Sequence, residues 1–98
     1  MGGECLADKN LSDVLNLVNR IRLLCPTKTI WLYTGFTWEQ CLSHPIRKEI
    51  VCKCDIVVDG KYEDELRDIT LKWRGSSNQR VIDVKNTLIH KEVVLWTK

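Results

Sequence analysis

No run of apolar residues in this sequence exceeds four, so no segment is built to cross a bilayer as a helix. The first residues lack the basic and apolar regions of a secretion signal, and none is expected. Proline occurs only twice and the five glycines are dispersed, which leaves no Pro/Gly/Ser-rich linker and no boundary between domains. Internal repeats and low-complexity tracts are missing as well. An excess of one charge sign is also lacking: 15 Lys and Arg stand interspersed with 13 Asp and Glu, a formal net charge of +2 that implies no polyanionic partner. Phosphate-cradling glycine loops of the P-loop or dinucleotide type do not occur. The doubled Cys-x2–4-Cys spacing of a structural zinc site does not occur either. One domain over residues 1–98 remains. A chain this short buries little more than about 60% of its unfolded surface, so its stability margin is thin.

The five cysteines, Cys5, Cys25, Cys41, Cys52 and Cys54, are odd in number and form no secreted disulfide framework. They read as reduced thiols of a cytoplasmic protein. In Cys52-Lys-Cys54 both thiols would share one side of an extended segment, or serve as two small buried apolar groups.

Leu11, Val14, Leu15, Val18, Ile21 and Cys25 recur at helical spacing, so an amphipathic helix is expected over 11–25, capped at Asn10 or Ser12 and stopped by Pro26. The apolar, β-branched and aromatic run at 29–34 predicts a strand that ends at Gly35. Thr37 and Gln40 form a capping box for a short helix through Leu42. Pro45 opens another, with Ile46, Ile50 and Val51 turned inward. A second buried strand is expected over 55–58. Beyond it, 61–68 is charged without a steady period, and strands are expected at 70–74, 80–84 and 92–96. Helices alternating with strands predict an α/β fold with a largely parallel sheet. Such a sheet binds its ligand beyond the carboxyl ends of its strands. Three glycine-bearing windows stand at such ends: Gly2-Gly3-Glu4, Thr34-Gly35 and Asp59-Gly60-Lys61.

Two windows admit more than one reading. Asp59-Gly60 fits the centre of a tight hairpin turn. Alternatively, Asp59 and Lys61 point the same way off an extended end and grip the two charges of a zwitterion, with Glu4 a further ammonium acceptor. Residues 74–80 (Arg-Gly-Ser-Ser-Asn-Gln-Arg) are either a solvated loop, a set of donors and acceptors around a polar ligand, or, with Trp73 and Lys72, a basic stacking surface for single-stranded nucleic acid. His44 and His90 have no nucleophile partner at a recognisable spacing, and no catalytic residue is assigned.

Taken in order, Gly-Gly-Glu at 2–4, Lys-Thr-Ile-Trp-Leu-Tyr-Thr-Gly-Phe at 28–36, Asp-Ile-Val-Val-Asp-Gly-Lys at 55–61 and Leu-Lys-Trp-Arg-Gly-Ser-Ser-Asn-Gln-Arg at 71–80 resemble the anaerobic ribonucleoside-triphosphate reductase activating proteins, a radical S-adenosylmethionine family. The resemblance covers nearly the whole chain. It implies a partial (β/α) barrel and a [4Fe-4S] cluster that binds and reductively cleaves S-adenosylmethionine. The resulting radical takes hydrogen from a glycine of the reductase, the partner. It also implies that Gly2, Gly3 and Glu4 hold the methionine ammonium and that Asp59 and Lys61 lie near the same ligand. Thr34, Arg74, Ser76, Ser77, Asn78 and Gln79 would line the site or face a partner.

The chain departs from that family at the cluster. No three of its cysteines have the Cys-x3-Cys-x2-Cys spacing, and Cys5 stands where the family usually has proline. The expectation is therefore a C-terminal portion of such a protein, truncated or split. The [4Fe-4S] cluster is then expected only with a separate N-terminal half, and an exposed sheet edge would favour self-association. The alternatives are a non-catalytic reductase-docking or regulatory remnant and, as the lesser reading, a nucleic-acid-binding module. No membrane role is expected.

Overall fold

The computed structural model describes residues 4–61, 63, 65, 67, 74 and 78–96. A single 3-10 turn, Asp8–Asn10, runs into helix α1, Leu11–Leu24. Strand β1 is Trp31–Tyr33, followed by the short helices α2, Trp38–Leu42, and α3, Pro45–Cys52. Strands β2, Ile56–Asp59, and β3, Arg80–Asp83, precede helix α4, Val84–His90.

The sheet order is β1-β2-β3. β1 and β2 are parallel, with Leu32 opposite Val57, and β2 and β3 are antiparallel, with Asp59 opposite Arg80. The described sheet is thus mixed, in contrast to the largely parallel sheet expected, and the molecule is a small α/β domain. The long excursion between Asp59 and Arg80 rules out the tight hairpin at Asp59-Gly60.

Central strand β2 is buried on both faces, as its apolar run requires. Val57 joins the main core with Leu6, Leu32, Trp38, Ile50, Val51 and Ile82. Ile56 and Val58 face the other side with Val81 under Trp31 and Trp96, whose rings meet edge to face with centroids 6.2 Å apart.

The expected caps are present in part. Thr37 and Gln40 form the capping box of α2. At α3 the cap is His44, whose Nδ1 accepts from the N–H groups of Ile46 and Arg47, so this histidine has a structural task. Ile50 and Val51 are buried, whereas Ile46 is exposed. In α1, Leu11 and Val18 are buried, but Cys25 lies past the helix end and is exposed. Asn10 makes no side-chain cap there and instead donates its amide to the Glu4 carbonyl at 3.0 Å. Arg22, near the end of α1, donates to the Lys53 carbonyl and to Asp55 Oδ2, which also accepts the Ile30 N–H at 2.7 Å. That contact ties α1 and the start of β1 to the start of β2.

β3 ends at Asp83, one residue short of the strand expected at 80–84, and Val84 opens helix α4, which was not among the expected elements. Asp83 caps it by accepting the Asn86 N–H at 3.1 Å. The closing strand at 92–96 is reduced to one bridge, Ile82 to Leu95, flanked by bonds from Asp83 N–H to Val94 and from Trp96 N–H to Val81. The strand expected at 70–74 lies outside the described residues except for Arg74, as does half of 61–68.

Ile50 is wholly buried and Leu23 is 79% exposed. Ile50→Ala should lower the unfolding free energy by about 2–5 kcal/mol, while Leu23→Ala should stay within about 0.5 kcal/mol. Urea denaturation of the two variants checks the contrast.

Candidate functional site

The carboxyl ends of the parallel pair lie side by side, and Glu4 meets the Thr34-Gly35 and Gly60-Lys61 segments there. Glu4 is the link to β1. Its Oε2 accepts from Thr34 Oγ1 at 2.6 Å and from the Leu6 N–H at 2.9 Å, and its Oε1 accepts from the Gly35 N–H at 2.6 Å. Gly35 favours this approach: a Cβ there would stand 3.1 Å from Glu4 Oε1, and the carboxylate would have to give by a few tenths of an ångström. Thr34 is buried and also accepts the Phe36 N–H at 3.1 Å, so its hydroxyl is fixed at both ends.

The turn that carries Glu4 is itself anchored. Ala7 N–H returns to the Glu4 carbonyl at 3.1 Å. Arg47 donates from Nε to the Leu6 carbonyl at 2.8 Å and from Nη2 to Asp8, and its guanidinium lies over the Phe36 ring at 4.2 Å.

At the end of β2 the chain turns at Gly60, whose φ of +95° is one that side chains disfavour. Gly60 N–H donates to the Phe36 carbonyl at 3.0 Å, which joins the two strand ends. Lys61 is exposed, and its Cα would lie 3.8 Å from a Cβ on Gly35. The loop before β3 closes over this turn: Asn78 Nδ2 donates to the Lys61 carbonyl at 2.8 Å and Gln79 Nε2 to the Gly60 carbonyl at 3.0 Å. Arg74 donates to the Gln79 carbonyl at 2.6 Å.

Asp59 is placed differently from the sequence expectation. It does not point off the strand end beside Lys61 but is turned inward, 1% exposed. Its Oδ2 accepts the Trp38 N–H at 2.7 Å and Arg80 Nη2 at 2.5 Å, and its Oδ1 accepts Arg80 Nε at 3.1 Å. Arg80 reaches on to Glu39 at 2.8 Å. The bond to Arg80 holds the Glu39 carboxyl below its ordinary range, and bonds to Asp59 and then Glu39 raise Arg80. Glu39 therefore adds stability at neutral pH that fades as acid protonates it at that lowered value.

Gly2, Gly3, Ser76 and Ser77 lie outside the described residues. Sequence reasoning missed Trp38, Leu6 and Phe36, which act through backbone groups and so leave no chemical signature in their side chains. A groove of about 390 Å³ between α2 and α4, lined by Trp38, Leu42, Leu88 and Val93 among others, contains none of the predicted site residues.

A family model described as a 4Fe-4S single cluster domain matches residues 1–82. The anaerobic ribonucleoside-triphosphate reductase-activating protein of Escherichia coli is 42% identical over 80 residues, 82% of this chain and 51% of that protein. Its namesake in Pasteurella multocida is 37% identical over 78 residues, 80% of this chain and 49% of that one. The one in Vibrio cholerae is 42% identical over 78 residues, with the same two shares, 80% and 49%. The chain spans about half the length of these curated relatives. No solved structure matches it significantly.

The cysteines present do not fit the cluster in that family description. They are scattered: Cys5 beside Glu4, Cys25 past α1, Cys41 in α2, Cys52 at the end of α3 and Cys54 before β2. Among the described residues no three His, Cys, Asp or Glu side chains stand together as a metal site. Burial pushes the thiols of Cys5 and Cys41 up to about 11 and that of Cys54 to about 12, with Glu4 adding to the effect at Cys5. Cluster ligands are thiolates that converge, and these thiols are dispersed and protonated.

Three outcomes follow. Arg80→Met should destabilise the fold by roughly 2–3 kcal/mol, below the range for a wholly buried pair because Arg80 is one-third exposed, by leaving Asp59 buried with its charge unpaired; thermal unfolding reads this. Anaerobic incubation of the chain with iron and sulfide should yield no stoichiometric cluster absorbance. In alkylation at pH 8 the exposed Cys25 should react well before Cys41 and Cys54, as mass spectrometry would show.

Proposed function

The chain belongs to the 4Fe-4S single cluster domain family and is a homologue of the anaerobic ribonucleoside-triphosphate reductase-activating proteins, and on that premise we propose that it takes part in activating such a reductase by holding the methionine end of S-adenosylmethionine. The observation that carries this reading is the meeting of Glu4, Thr34-Gly35 and Gly60-Lys61 at the carboxyl ends of two parallel strands.

Each group has a task in this reading. Glu4 Oε2 takes three donors, Thr34 Oγ1, the Leu6 N–H and the Cys5 thiol, and Oε1 takes one among the described residues, so Oε1 retains capacity for an ammonium N–H. Lys61 supplies the opposite charge for the methionine carboxylate. Thr34 acts through Glu4. Asp59, spent on Trp38 and Arg80, supports the site from within and does not touch the ligand.

Reductive cleavage of S-adenosylmethionine draws its electron from a [4Fe-4S] cluster, and the five cysteines here do not supply its ligands. That mismatch favours a second reading, in which the chain is a reductase-docking or regulatory element without radical chemistry of its own. The reductase is the proposed partner in both readings, and the free thiols suit a reducing cytoplasm.

Isothermal titration of the chain with S-adenosylmethionine separates them. Saturable binding that weakens about tenfold or more in Glu4→Gln and in Lys61→Ala is expected from loss of one charged hydrogen bond each. Absence of binding, or variants that bind like the wild type, would remove the ligand-holding role and leave the docking element.

A further inference from the structure

Residues 74–80 are the most unusual stretch of the sequence, and two of them, Asn78 and Gln79, have no part in the ligand contacts proposed above. We infer that Asn78 and Gln79 are positioning residues for Lys61. Their carboxamides hold the two carbonyls of the Gly60-Lys61 turn and so set where the lysine ammonium meets a ligand carboxylate. The inference rests on the reading of Lys61 as the carboxylate-binding group.

The geometry is specific to these two side chains. Asn78 Nδ2 donates to the Lys61 carbonyl at 2.8 Å and Gln79 Nε2 to the Gly60 carbonyl at 3.0 Å, so two consecutive peptide units are pinned from one side. From the other side Gly60 N–H is pinned to the Phe36 carbonyl at 3.0 Å. The turn needs such restraint, because Gly60 adopts φ +95° and glycine has more conformations to lose than any other residue. The glycine is required by that φ and not by lack of space: a Cβ on Gly60 would stand in ordinary contact with the Asn78 carbonyl at 3.5 Å and Gln79 Cα at 3.6 Å. The clamp is fastened in turn. Arg74 donates to the Gln79 carbonyl at 2.6 Å, and Arg80, the next residue, is fixed on Asp59. Lysine carries long, flexible methylenes, so a ligand contact through it gains affinity only where the backbone beneath it is held.

The test separates a positioning role from a structural one by comparing two ligands. S-adenosylhomocysteine carries the carboxylate, and its decarboxylated analogue lacks it. Both are titrated into the full chain as wild type, Lys61→Ala, Asn78→Ala, Gln79→Ala and Lys61→Ala/Asn78→Ala. The wild type should prefer the carboxylate ligand by about tenfold, the loss expected for one charged hydrogen bond. Asn78→Ala and Gln79→Ala should each lose most of that preference while binding the analogue as the wild type does. The double variant should be no worse than Lys61→Ala, because both changes act through one ammonium.

Equal weakening of both ligands in Asn78→Ala and Gln79→Ala would mark the loop as merely structural and overturn the inference. A retained preference in those variants would overturn it too while leaving the Lys61 assignment intact. A wild type without any preference would overturn that assignment and the positioning role together.

Discussion

The buried carboxylate of Asp59 is the contact on which the rest of the arrangement depends. A charge with 1% exposure is costly unless every lone pair is used, and here both oxygens are. One oxygen takes the first N–H of α2, and both take the guanidinium of Arg80 at the start of β3. One side chain therefore sets the arrival of α2 after β1 and the start of β3 beside β2. The Gly60-Lys61 turn leaves the fold from the next residue, so its origin is fixed by the same contact. A hydrophobic replacement could fill the volume but could not hold two backbone segments in register.

Glu4 solves a related problem at the rim. It too receives donors from a distant part of the chain, Thr34 and Gly35, as well as from nearby Leu6, yet it is only half-buried. Asp59 has no capacity left for a ligand, whereas Glu4 Oε1 does. Two acidic residues at neighbouring strand ends thus divide the work, one closing the interior and one remaining available. Burial and donor count make that division, since both are carboxylates on short, well-anchored segments.

Much of this was legible in the residues. The capping box at Thr37 and Gln40, the proline that opens α3 and the doubly buried β2 each follow from a local rule, and each is present. Glycine does stand just beyond two of the described strand ends, Gly35 after β1 and Gly60 after β2. The failures share a cause, which is competition between local and tertiary preference. Alternation carried the strand expected at 80–84 one residue too far and left the helix after it unread; Asp83, by accepting the Asn86 N–H, ends β3 and starts α4. Asp59 and Lys61 were placed on one side by strand alternation. The left-handed turn at Gly60 breaks that alternation, and the bonds to Trp38 and Arg80 draw Asp59 inward. No single-residue rule anticipates a bond to a backbone N–H 21 positions away.

The largest departure from expectation also explains the most. Alternating helices and strands predict parallel neighbours, yet β3 runs against β2. A parallel β3 would begin at the amino end of β2, and the loop ahead of it would arrive roughly 10–13 Å from Gly60, the length of a four-residue strand. Because β3 is antiparallel, its first residue, Arg80, lies opposite Asp59, and residues 78 and 79 are delivered onto Gly60 and Lys61. A long chain excursion leaves from the end of β2 and returns to the same end. The reversed strand therefore brings Asn78 and Gln79 to the strand ends where Glu4 and Gly35 already meet, and a parallel strand would have carried them away.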